Sequence, residues 1–138
     1  MKLYDNEWVT ELARLAASDE AFQKKAKGFD VVYQYVVKAP KDSPDQTPRV
    51  FWIKFPEAVV FGLGPHEKPT YTMTTSYEIF HDVLIGKTNA IMALTMRRIF
   101  VSGDLMKLLR FTGGINRIVE LKQGIPADAD GQLAAISK

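Results

Sequence analysis

The chain has 138 residues, 46% hydrophobic and 25% charged, the size and balance of one domain that buries a core without crosslinks. It holds no cysteine, which excludes a disulfide framework, a thiolate nucleophile and a cysteine-based zinc site. Lys+Arg number 18 against 16 Asp+Glu, and a net charge of +2 falls short of the basic stripe expected of a nucleic-acid binder.

The longest uncharged apolar run, Ala58 to Gly64, is far below the ~20 residues of a membrane span. Asp5, Glu7, Glu11 and Arg14 interrupt the apolar residues near the N-terminus, where a signal peptide needs a continuous stretch. The chain ends Ile-Ser-Lys, not in a Ser-Lys-Leu type peroxisomal address. The expectation is a cytoplasmic protein.

Trp8, Val9, Leu12, Leu15 and Ala16 recur at helical spacing behind Asp5, a candidate N-cap. A second helix is expected from Ser18, with Asp19 and Glu20 in its first turn, Lys24, Lys25 and Lys27 in its last, and Gly28 closing it. From Phe29 to Lys38 the odd positions are apolar or aromatic, the period of a strand. A proline-framed polar loop leads to a second strand, Arg49–Phe55, and Pro56 separates it from a third over Ala58–Leu63. Tyr71 and Met73 mark a fourth. Thr75-Ser76-Tyr77-Glu78 has the form of a capping box with Thr75 as cap, opening a helix that presents Tyr77, Phe80, Val83 and Leu84 and ends at Gly86.

A short helix follows from Asn89, then a brief strand, Ile99–Ser102, and a helical region N-capped by Asp104 and broken at Gly113-Gly114. This order predicts an α+β fold, helices covering one face of a mainly antiparallel five-stranded sheet. It predicts a single domain over 1–125 with a polar C-terminal tail over 126–138.

Reactive chemistry is sparse. His66 lies in a Pro/Gly turn and is expected to be solvated. His81 and Asp82 are helix neighbours that point about 100° apart, a poor arrangement for a triad with Ser76. Two separated histidines make no metal motif, and Asp128-Ala-Asp130-Gly131 lacks most of a calcium loop. Gly62-Leu63-Gly64 has no third glycine and no following helix, so it is no dinucleotide fingerprint. No catalytic residue, metal or cofactor is expected, and the chain is read as a non-enzyme.

The second half carries apolar helix faces rich in methionine, which suits adaptable contact with apolar partners. Within it, Gly86, Lys87, Asn89, Ala93, Ile99, Val101, Gly103 and Asp104 stand in an ordered set. That set resembles the sterol carrier protein family (its sterol-transfer domain), and the likeness runs from about Val50 to Leu121. Arg97 stands where the family usually has glycine, and Ala90 where it often has proline.

The resemblance implies that sheet and helices enclose an apolar tunnel for a sterol, fatty acid or acyl-CoA. It implies a lining drawn from Phe80, Leu84, Met92, Met96, Leu105, Leu108, Leu109 and Phe111. Lys107, Arg110, Arg117 and Lys122 are candidates for an acyl head group or transient contact with a membrane surface. The function expected is non-covalent lipid binding and transfer. The alternative is an interaction or dimerisation module without lipid, and an oligomer is compatible with either.

Overall fold

The computed structural model describes residues 6–125. The expected cap Asp5 and the expected tail lie outside them. Along the chain come α1 (Asn6–Ser18), α2 (Glu20–Lys25), β1 (Val31–Lys38), β2 (Arg49–Phe55), β3 (Phe61–Leu63), β4 (Tyr71–Ser76), α3 (Tyr77–Leu84), α4 (Ala90–Thr95), β5 (Phe100–Ser102), α5 (Leu105–Leu109) and α6 (Thr112–Gln123).

The strands form one sheet in the order β3-β2-β1-β4-β5. Every neighbouring pair is antiparallel except β1 and β4, which run parallel with Tyr35 opposite Met73. The long chain path from β1 to β4 makes that parallel pairing possible. Period-two alternation decides which face is covered. Val31, Tyr33, Tyr35 and Val37 of β1, Phe51, Ile53 and Phe55 of β2, and Tyr71, Met73 and Thr75 of β4 are all buried beneath the helices.

Trp8 of α1 meets Phe51 and Phe80 edge-on, at 5.8 and 6.3 Å between ring centroids. α6 is the central helix and packs against α1, α2, α3 and α4. Its glycines do not break it. Gly113 and Gly114 lie in its first turn, over the Lys25 side chain and Ala26, and the interruption comes earlier, at Arg110–Phe111.

Four more expectations shift by a few residues. β1 starts at Val31, because Phe29 belongs to the turn leaving α2 and packs among Phe55, Tyr71 and Phe111. β3 starts at Phe61, because the chain after Pro56 turns through Ala58 at φ 58. Asp19 caps α2, accepting from the Phe22 N–H at 2.7 Å. Ser76, not Thr75, caps α3, accepting from the Ile79 N–H at 3.2 Å. Thr75 is the last inward residue of β4, opposite Val37, so Ser76 is the first residue free to leave the sheet.

Two helices end alike. After α3 the Gly86 N–H donates to the Val83 carbonyl and the Lys87 N–H to that of Asp82, with Gly86 at φ 78. After α4 the Arg97 N–H donates to Leu94 and the Arg98 N–H to Ala93, with Arg97 at φ 61. Both are Schellman endings, whose left-handed position favours glycine. At Gly103, φ is 126 and an added Cβ would come within 2.7 Å of the Tyr71 ring, so glycine is required there.

Candidate functional site

An apolar cavity of about 40 Å3 lies between the covered face of the sheet and α6. Tyr33, Tyr35, Phe55 and Met73 form its floor, and Ile115, Ile118, Val119 and Lys122 its roof. Phe22 and Phe29 close one side; Phe80, Val83 and Leu84 of α3, with Ala90 and Leu94 of α4, close another. The floor is the inward set of a period-two pattern. The roof is a 115–118–119–122 stripe, the i, i+3, i+4, i+7 spacing of one helix face.

Lys122 therefore occupies an apolar position. It is 6% exposed, and its Nζ lies 4.1 Å from the Tyr35 ring centroid and 5.8 Å from that of Phe80. Burial alone pulls its amine down to about 7. The other titratable groups of the wall are the Tyr33 and Tyr35 phenols, which burial pushes up. The Tyr33 hydroxyl donates to the Met73 Sδ at 3.6 Å.

Of the residues expected to line a lipid site, Phe80 and Leu84 stand in this wall. Leu105 lines a separate groove of about 270 Å3 with Leu94, Arg97, Ile99, Phe100 and Val101. Leu108 is fully buried, Leu109 and Phe111 are half-buried, and Phe111 packs on Phe29 at 4.6 Å. Met92 and Met96 are exposed on α4, at 60% and 64%. Sequence reasoning did not place Tyr33, Tyr35, Phe55 or Met73 in the wall, although their alternation marks them as one face. Their facing α6 is a property of the packing.

The expected basic set divides. Arg117 forms a two-pronged pair with Asp19, its Nε and a terminal nitrogen 2.8 and 2.7 Å from the two carboxylate oxygens. Lys107 and Arg110 are exposed. His66 is half-buried on the far face of the sheet, its ring edge-on to Trp52 at 4.6 Å and its backbone N–H donating to Gln34 Oε1. His81 is buried, with Nδ1 3.5 Å from an oxygen of Asp82.

Residues 10–115 match the model of the SCP-2 sterol transfer family. The chain belongs to that family. Membership places it among lipid-binding and lipid-transfer domains generally. The fold agrees with a crystal structure of sterol carrier protein 2, at 12% identity and a TM-score of 0.82 over 91% of this chain and 100% of the other. A conserved hypothetical protein from Thermus thermophilus gives 13% identity and 0.81 over 92% of each chain. The palmitated SCP2L2 of Aedes aegypti gives 17% and 0.55 over 78% of this chain and 93% of its own. No curated protein matches the chain in sequence. Among the described residues no helix is long and apolar enough to cross a membrane.

Arg97 is the left-handed residue of the Schellman ending after α4, the position that favours glycine.

Proposed function

We propose that this sterol-carrier-type domain binds a fatty acid, acyl-CoA or sterol-like lipid non-covalently between the sheet and α6, and transfers it without catalytic residues. The observation that carries this is the apolar cavity at that junction. The palmitated Aedes aegypti relative supports a fatty-acyl ligand of this kind. Apolar burial supplies the affinity, at about 25 cal/mol per Å2.

The cavity is far smaller than the ~300 Å3 at which ligand pockets begin. A large empty void would be costly. An empty apolar void of ~300 Å3 would cost about 7 kcal/mol at ~24 cal/mol per Å3, a large part of a domain's stability. A void of about 40 Å3 costs about 1 kcal/mol by the same rule. In this reading α6 and its neighbours part to form a tunnel around the lipid.

A second reading, an interaction or dimerisation module, draws on different residues. Met92 of α4, its C-cap Met96, Phe100 of β5 and Met106 of α5 are all exposed, along the three elements that also line the groove. Such a surface also suits transient contact with a membrane.

Native mass spectrometry of the freshly purified chain, followed by organic extraction, tests both. A bound species of lipid mass, displaced by a fluorescent fatty acid, supports the carrier. A lipid-free dimer mass with no displacement supports the module instead.

A further inference from the structure

We infer that Lys122 is the head-group residue of the site, and that its ammonium pairs inside the domain with the carboxylate of a long-chain acid whose hydrocarbon lies between the sheet and α6. The inference rests on the carrier reading above and narrows it to one ligand class.

Three observations lead to it. Lys122 projects from the apolar stripe of α6 into the wall of the cavity, beside Ile118 and Val119. Its Nζ faces aromatic rings, and among the described residues no carboxylate pairs with it. The acidic residue two positions before it, Glu120, pairs with Arg117 instead. A buried ammonium without a counter-ion is strongly disfavoured, whereas apolar side chains at this position would pack without penalty. The missing partner must be anionic at one end and apolar along its length, because every other element of the wall is apolar or aromatic. A carboxylate is the smallest of the common anionic lipid head groups, and a long-chain acid carries it on an apolar chain.

The depressed basicity of Lys122 is consistent with this chemistry. Above pH 7, where the amine is mostly neutral, a protonated acid entering the site hands it the proton. The carboxylate and ammonium that result form a pair, and no net charge crosses the apolar entry. Above pH 7 the site without lipid holds a mostly neutral amine, and the loaded site an ion pair shielded by the lipid chain.

The test compares palmitic acid with methyl palmitate on the full chain, in the wild type and in Lys122→Met, by displacement of a fluorescent fatty-acid analogue. The ester keeps the hydrocarbon and removes the ionisable proton. The wild type is expected to prefer the acid by about tenfold to a hundredfold. Lys122→Met is expected to lose that preference and to bind the ester as well as the wild type does. The 15Nζ resonance of Lys122 in the wild type, recorded above pH 7, is a second readout, expected to shift from amine to ammonium on adding palmitic acid and not on adding the ester. An acid preference that survives in Lys122→Met, or no preference in the wild type, overturns the inference and leaves the carrier reading standing. If neither compound binds, the carrier reading falls and the inference with it.

Discussion

Arg97 sits at φ 61, in a backbone conformation that disfavours a residue with a Cβ by roughly 1–2 kcal/mol. Its amide and that of Arg98 are both used to close α4, so the strain is retained to satisfy two helix carbonyls. Replacing Arg97 by glycine should keep both hydrogen bonds and raise stability by about 1 kcal/mol. Chemical denaturation should show a higher midpoint at an unchanged slope, and an unchanged or lower midpoint would contradict the strain at this position.

Lys122 makes a pH prediction at the same scale. Burial lowers its pKa from 10.5 to about 7, so between those values the unfolded chain holds a proton that the folded chain lacks. Its contribution to stability therefore rises from pH 7 towards pH 10.5, and the penalty for its burial is complete below pH 7. The facing groups, Tyr33 and Tyr35, are held neutral by burial through this window. The ligand-free wild type should gain stability relative to Lys122→Met as pH rises through that range. A constant difference between the two would show that Lys122 keeps its proton on folding.

Among elements, the junction of α2 with α6 depends on one acidic residue with two tasks. Asp19 caps α2 and clasps Arg117 of α6, 98 residues along the chain. The Arg117 hydrogen bond, then the Phe22 amide, hold its carboxyl down at about 2. A depressed acid pKa contributes stability above the unfolded value of 3.8, and the contribution is lost as pH falls from about 4 towards 2. Asp19→Ala should lose about 1 kcal/mol from the cap alone and should flatten the acid limb of an unfolding profile across that window. Asp19→Asn keeps a capping oxygen and should show the flattened limb with a smaller loss. An acid limb identical to wild type in both would remove Asp19 as its source.

For the molecule as a whole, the carrier reading has a thermodynamic signature. A lipid that binds only the folded chain adds about 2.7 kcal/mol at a concentration a hundred times Kd. Scanning calorimetry with saturating palmitic acid should therefore show a clear rise in Tm over the unloaded protein. Loading must also open a space several times larger than about 40 Å3. Amide exchange should change most in α6, α3 and the turn at Phe29, which border the cavity, and least in β3, which does not. A Tm unaffected by lipid would argue that no ligand enters the core.

Local chemistry made much of this fold legible in the sequence. Alternation over Arg49–Phe55 marks β2, and side chains at Asn89 and Asp104 mark helix starts because a cap is an interaction within four residues. The glycines at 86 and 103 likewise mark turns. The family likeness rested on the same short-range features. The candidate site was less legible, because a cavity wall is made of residues far apart in the chain. Phe80 and Leu84 came from a helix face in the likeness region; Tyr35, Met73 and Ile118 meet only because β1 pairs with β4 and α6 lies across both. The family likeness also offered Met92 and Met96, and both are exposed, which the tertiary packing of α4 and its C-cap alone decides. Lys122 shows the division most clearly. Its i, i+3, i+4, i+7 spacing with Ile115, Ile118 and Val119 is written in the sequence, but only the fold decides that this stripe faces a cavity with no carboxylate among the described residues to meet it.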